Sequence, residues 1–472
     1  MSARLSRMAP PPAPGIVHLG LGAFFRAHGA IYVAEAMAAA GGEWGIVGVS
    51  LKSPGTRDRL APQGHAYTAL ELGPDGEVPR RIEVLSDVLV APEDPDAVLG
   101  AMERARIVSL TVTEKGYCHV PATGRLDMDH PDIRADLADP ARPASAIGFL
   151  VRGLARRRAA GARPFTVLSC DNIPENGRLV RGLVLELAER IDAGLAAWIA
   201  GAGAFPCTMV DRIVPATTGD DLGRVETLVG ARDEAPVMHE PFRQWVVEDD
   251  FADGRPDLAA AGVELVEDVA PYEHMKLRCL NGSHSALAYL GYLAGAETIS
   301  QAVGRPELEG YVRRLWSRDI LPVLTPPPGV DLAAYADALL ARYRNPAIRH
   351  RTWQIAMDGS QKLPQRLLGT LADNLEARRD PARVLLAVAG WMVYTRGRGL
   401  DGAPIEVRDP LAAELAGYWD GDPAPGEVVS RYLGCARVFD PALAARPEMR
   451  EGLSRALAAL LRDGVEGACA GA

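Results

Sequence analysis

Residues 15–22, GIVHLGLG, form an apolar run that ends in glycines, and a helical pattern follows from about Phe24 to Ala40. Short apolar runs recur at 44–51, 105–113 and 164–170, the last after a long amphipathic stretch over 144–158. Runs of this length read as strands covered on both faces. Their alternation with helical patterns predicts a parallel sheet with crossover helices. From about Tyr272 the texture changes. Helical patterns cover 276–293, 306–318, 332–344, 382–395 and 451–462, and prolines such as Pro326, Pro327 and Pro328 punctuate them. The expected organisation is an α/β domain over residues 1–265 and a mostly α-helical domain over 266–472.

Composition narrows the function classes. The chain has 472 residues, 48% of them hydrophobic, with a net charge of −10. An acidic balance argues against a nucleic-acid partner, which would call for a basic face. The longest apolar stretch, 384–394, falls short of the roughly 20 residues a membrane span needs. The opening MSARLSRMAPPPAPG shows no apolar core of a signal peptide, so a cytoplasmic protein is expected. Six cysteines are scattered without a CxxC pair, which suits free thiols in a reducing compartment and suggests no metal site. Only four of the 51 basic residues are lysine: Lys52, Lys115, Lys276 and Lys362. Arginine keeps its proton, whereas lysine titrates when its surroundings change. Each surviving lysine is therefore a candidate for work that arginine cannot do.

Gly20-Leu21-Gly22 follows a strand pattern and opens a helix, the context of a Rossmann-type dinucleotide turn. The first glycine allows the tight turn and the second lets backbone amides approach a pyrophosphate. Phe25 stands where the third glycine of G-x-G-x-x-G belongs, and Arg26 is a candidate phosphate contact. The acid expected after the second strand is missing. Lys52 and Arg57 follow instead, and both would suit a 2′-phosphate, so NADP competes with NAD.

The segment PYEHMKLRCLNGSHSALAYLGYL carries Lys276, Asn281 and His284. On one α-helix, Asn281 and His284 stand about 140° and 80° around from Lys276, with about 12 Å between the ends. A lysine of lowered pKa is a general base, and an asparagine amide is a neutral donor to an oxyanion. The alternative is a solvated lysine, a capping asparagine and a core histidine. Tyr272 and Lys276 also form Y-x-x-x-K, the pair of short-chain dehydrogenases, but about 250 residues after the glycine turn rather than the roughly 150 of that class. Ser169-Cys170-Asp171-Asn172 ends a strand pattern, where ligands of open α/β sheets bind. Asp171 and Asn172 are candidates to face a substrate, while the following Asn176 reads as a turn residue. Thr113-Glu114-Lys115-Gly116-Tyr117 holds the same strand-end position earlier, and residues 209–213 form a third apolar-to-charged junction.

In order along the chain, IVHLGLGAFFRAH, TEKGY, SCDNIPENG, MVDRIVP, YEHMKLRCLNGSHSALAYLG and NPAIR…DGSQKLPQ resemble the mannitol dehydrogenase family, the polyol-specific long-chain dehydrogenases. The resemblance implies metal-independent hydride transfer between a nicotinamide cofactor, usually NAD, and a secondary alcohol. It assigns Lys276 as general base and Asn172 and Asn281 as oxyanion donors. It assigns Asp211 and His284 to substrate hydroxyls and Glu273 to proton escape. It gives the nucleotide the segment from Ile16 to Ala27, which includes Gly20, Gly22, Phe24 and Arg26; Lys52, Thr113 and Glu114 are further candidates beside the nucleotide. The fructuronate reductase branch is the nearer likeness, with D-mannonate and D-fructuronate as substrates. Mannitol 2-dehydrogenase and arabinitol dehydrogenase are the alternatives, and a non-catalytic sugar-binding protein is a remote one. A sugar acid would need a basic residue for its carboxylate, and Arg349 and Lys362 are the candidates. The expected partner is a small sugar acid or polyol, and the chain itself is expected to be a monomer or weak oligomer.

Overall fold

The computed structural model describes residues 3–121 and 123–472. The chain divides into two compact units, one running to Ala270 and the other from Pro271 to Ala472.

The first unit is built on five parallel strands: β1 (Pro14–Leu19), β2 (Gly45–Ser50), β3 (Leu85–Val90), β4 (Ile107–Leu110) and β5 (Thr166–Ser169). Their order across the sheet is β3-β2-β1-β4-β5, all pairs parallel, which is the Rossmann arrangement with β1 at the centre. Side chains alternate between the two faces. Val17, Leu19, Val47, Val108 and Val167 belong to one apolar cluster, while Ile16, Ile46, Ile107 and Leu168 belong to another. Burial on both faces is why these strands read as continuous apolar runs rather than alternating ones.

Two further three-stranded sheets lie in the same unit. One joins Tyr67–Gly73 to Gly76–Ile82 and Val237–His239, and the other joins Thr208–Asp211, Gln244–Glu248 and Glu264–Val266. The junction at 209–213 thus ends a strand paired antiparallel with Gln244–Glu248, outside the parallel sheet. The helix expected over 24–40 is two helices, α1 (Ala23–Ala27) and α2 (Gly29–Ala40). They are broken at His28, whose backbone sits at φ −131°, ψ −88° and whose Nε2 bonds the Gln244 carbonyl oxygen.

The second unit is helical. Its centre is Ala382–Thr395, buried from Val384 to Thr395, which packs against Ser283–Leu293 and Pro447–Gly471. Small residues set the closeness of these contacts. A β-carbon on Gly390 would stand 2.9 Å from Leu290, and one on Gly452 would stand 2.5 Å from Leu385. The helix expected over 276–293 is interrupted by a π-helical turn, Lys276–Gly282, and the one expected over 306–318 becomes π-helical at Leu315–Ile320. A third π turn covers Pro364–Leu368. Among the described residues no helix is long and apolar enough to cross a membrane. All six cysteines are free and buried. Burial pushes the thiols of Cys118, Cys279 and Cys469 up to about 12, and those of Cys170 and Cys207 up as well.

Candidate active site

In the first unit, candidate residues lie in loops at the carboxyl ends of the parallel strands. Gly20 follows β1 at φ +89°, where a β-carbon would lie 2.3 Å from the Thr111 carbonyl oxygen. Only glycine meets both demands. Gly22 is exposed, and a β-carbon there would meet nothing nearer than 3.8 Å, so the ground before α1 is open. This fits the backbone approach that a dinucleotide pyrophosphate needs. At the third glycine position, Phe25 stacks on the ring of His18, and Gly29 leaves room for it. His18 is fully buried, bonds Ser109 Oγ and Thr111 Oγ1, and is held at about 3 by loss of solvent. Ile16 is buried in β1 and Phe24 is half-buried in α1.

Arg26 turns inward. Its guanidinium donates to the Ala235 carbonyl and lies over the Tyr67 ring, which leaves phosphate contact to the backbone of the turn. Beyond β2, Lys52 is exposed, whereas Arg57 is already paired with Glu93 and Asp58. The basic lean toward a 2′-phosphate therefore rests on Lys52 alone.

The loops after β4 and β5 are tied together by Asp171. Its carboxylate accepts the amides of Val112 and Thr113, each at 3.0 Å, and the Tyr117 hydroxyl at 2.7 Å. Asp171 is therefore a brace rather than the substrate contact expected of it, and burial raises its pKa. The brace holds Thr113 at φ 63°, ψ 163°, a conformation costly for a β-branched residue. Asn176 bonds the Asp171 and Thr208 carbonyl oxygens and accepts the Thr208 amide, all at 3.0 Å, as its reading as a turn residue requires. Between these two anchors Asn172 is exposed, as are Thr113 and Glu114. Asp211 is buried at the end of its strand, beside Arg212, which donates to the Ala27 carbonyl.

In the second unit, Ala270–Met275 is α-helical, Lys276–Gly282 is π-helical, and Ser283–Leu293 is α-helical again. An i→i+5 turn sets a residue nearly above the one five before it, where an α-helix would part them by about 140°. The wide turn thus carries Asn281 toward the face of Lys276. Lys276 and His284 are each 7% exposed, Asn281 and Glu273 are half-buried, and Tyr272 is buried.

A wide turn displaces carbonyls from their usual partners, and these must be satisfied elsewhere. Trp316 Nε1–H donates to the Cys279 carbonyl at 3.0 Å, and the Tyr343 hydroxyl donates to that of Leu280 at 2.9 Å. Gly282 has a β-carbon position 2.7 Å from the Arg366 carbonyl oxygen, so glycine admits the third π turn against the first. Periodicity could not reveal this. The visible trace was a glycine inside a helical pattern.

The His284 ring stacks on Tyr343 at 5.0 Å and meets His350 edge-on at 4.7 Å. Its Nε2 is buried without a hydrogen-bond partner. Burial, and then the basic groups around it, hold its pKa well below the usual value, so it is neutral at pH 7. Lys362 is half-buried and Arg349 is exposed. Sequence reasoning missed Arg366 and His350, which stand beside His284. It also missed a trio in the first unit, Cys118, His130 and Asp132, whose ligand atoms lie within 4.8 Å of one another.

Comparisons with known proteins identify the two domains. The Rossmann domain of mannitol dehydrogenase matches residues 14–260, and the mannitol dehydrogenase C-terminal domain matches residues 268–461. D-mannonate oxidoreductase of Escherichia coli is 48% identical over 85% of this chain and 84% of its own length. Polyol:NADP oxidoreductase of Gluconobacter oxydans is 39% identical over 85% of this chain and 84% of its own. The solved mannitol 2-dehydrogenase of Pseudomonas fluorescens, in ternary complex with NAD and D-mannitol, superposes with a TM-score of 0.87 at 36% identity. That superposition covers 100% of this chain and 96% of the other. The chain belongs to the mannitol dehydrogenase family, NAD(P)-dependent oxidoreductases of polyols and sugar acids.

Proposed function

We propose that the chain interconverts D-mannonate and D-fructuronate with NAD, without a metal ion. The observation that carries this reading is the wide turn that brings Asn281 toward the face of Lys276. The bound nicotinamide supplies the acceptor for the hydride. Lys276 takes the proton of the secondary hydroxyl, and returns it in the reductive direction. Asn281 and Asn172 donate to the oxygen as it gains charge. Being neutral, the amides favour the alkoxide without adding positive charge beside the lysine. Asp211 and the neutral ring of His284 hold neighbouring hydroxyls, and Glu273 passes the proton outward. Gly20, Gly22, Phe24, Thr113 and Glu114 border the nucleotide. The cytoplasm is the compartment that suits six reduced thiols.

D-mannitol is the second reading, favoured by the D-mannitol complex of the solved relative. NADP is the second cofactor, favoured by the Gluconobacter relative and by the free position of Lys52. An absorbance assay at 340 nm decides among them. D-mannonate, D-mannitol, D-arabinitol and D-sorbitol are each tried with NAD and with NADP, before and after prolonged chelation. The proposal expects the highest kcat/KM for D-mannonate with NAD, unchanged by chelation. A polyol preferred over D-mannonate, or activity lost with a stoichiometric metal, would overturn it.

A further inference from the structure

Four basic side chains converge beside His284 in the second unit. Arg366 lies in the π turn Pro364–Leu368, whose carbonyl oxygen abuts Gly282 of the Lys276 turn. Its Nη1 donates to Ser285 Oγ at 3.1 Å, and among the described residues it makes no ion pair. Burial lowers its pKa, and the groups acting on it after burial are the tyrosines 289 and 343. Lys362, four residues earlier, donates to the carbonyls of Met357 at 2.6 Å and Ile355 at 3.3 Å. Burial takes it down to about 8, with Arg366 pushing the same way and Asp358 and Asp409 opposing. Asp409 is spent on the Ser360 amide and hydroxyl, and Asp358 is exposed. His350 is held at about 4 by burial and then by Lys362 and Arg366. His284 is pushed down by burial and then by His350, Arg366, Arg342 and Lys362, all four basic. His284 Nε2 and His350 Nδ1 are both buried without partners.

Two half-buried cations, Arg366 and Lys362, beside idle rings of neutral histidines are unfavourable by themselves. An anion arriving among them supplies a counter-charge to Arg366 and Lys362 and a partner for the two idle ring nitrogens. A polyol offers hydroxyls alone and leaves the charges unmatched. We infer that Arg366 and Lys362, with the ring nitrogens of His284 and His350, form a subsite for the carboxylate of a sugar-acid substrate. The inference deepens the proposed function and rests on its assignment of Lys276. Its distinctive element is Arg366, beside the Lys276 turn, with exposed Arg349 no part of it.

The test is the ratio of kcat/KM for D-mannonate to that for D-mannitol, which a general loss of folded enzyme does not move. Arg366→Gln should lower the ratio about 10- to 150-fold, the worth of a hydrogen bond to a charged group. Arg366→Lys should lower it less. A ratio unchanged in Arg366→Gln overturns the subsite while leaving the dehydrogenase reading intact. A second readout does not depend on turnover. Binding an anion favours protonated Lys362, so D-mannonate should bind with proton uptake near pH 8 and more weakly as pH rises through that value. Calorimetry of the wild type in two buffers of different ionisation enthalpy measures that proton, with D-mannitol as the uncharged control. Proton uptake with D-mannonate alone supports the subsite even if the turnover assay favours another substrate. Equal proton exchange for the two ligands, or none, overturns it.

Discussion

The two units hold their candidate site residues by opposite means. In the first, the candidate groups stand on loops beyond strand ends, and braces such as Asp171 and Asn176 fix those loops to the sheet. In the second, they stand on a helix, and the helix itself is distorted to present them. A loop needs added side chains to become rigid, since its backbone is not fixed by a ladder. A helix is rigid from the start and needs outside donors, here Trp316 and Tyr343, to make its irregularity affordable. The Lys276 helix is therefore the more sensitive of the two to changes in its surroundings, and the strand-end loops are the more sensitive to loss of a single brace.

The largest effect should fall on the distorted helix. Lys276→Ala is expected to lower turnover by about 10²- to 10⁴-fold, the usual worth of a general base. Nucleotide affinity, followed by fluorescence titration, should stay within a few-fold. Tyr272→Phe should be mild, and a severe loss there with a mild one at Lys276 would transfer the base role to the tyrosine.

Next come the asparagines, one from each unit. Asn172→Ala and Asn281→Ala should each cost on the order of 10²-fold in turnover, about 2.7 kcal/mol or more. The loss should lie in kcat, because the bond strengthens as the alkoxide forms. Asn176→Ala should instead lower the free energy of unfolding, having removed a brace whose partners stay buried, by about 1–3 kcal/mol. If Asn176→Ala matched Asn172→Ala in kcat without loss of stability, the division into brace and donor in that loop would fail.

Gly282→Ala probes the wide turn directly. Its β-carbon would press on the Arg366 backbone, so a cost of about 1–3 kcal/mol is expected, read by denaturant unfolding. A fall in the D-mannonate to D-mannitol ratio should accompany it, since Arg366 would have to shift. The smallest effect belongs to the nucleotide edge. Lys52→Asp should leave NAD use intact or improve it and weaken any use of NADP, since a carboxylate there would repel a 2′-phosphate.

Much of the first unit was legible because its signals are local. The buried runs at β1, β2, β4 and β5 and the glycine at position 20 each carry their own evidence, since a strand covered on both faces must be apolar throughout. The helix 382–395 was legible for the same reason, being buried almost end to end. The break at His28 left no mark in the apolar pattern, because both α1 and α2 are buried there. The π turns were invisible for a different reason. Their hydrogen bonds come from Trp316 and Tyr343, 37 and 63 residues from the carbonyls they serve. Lys276, Asn281 and His284 could be named from their types, but the π-helical turn that sets their spacing could not. Arg366 was lost among 47 arginines, and burial without an acidic partner, a property of the fold, is what marks it.

The buried cysteines have a practical consequence. Every native thiol is shielded, and those for which a shift is resolved are poor nucleophiles near neutral pH. The wild-type chain is thus already close to a silent background for thiol chemistry. A single cysteine placed at exposed Lys52 in one unit and another at exposed Arg349 in the other would take fluorescent labels selectively. Each unit could then be followed by its own label, with none of the six native cysteines removed.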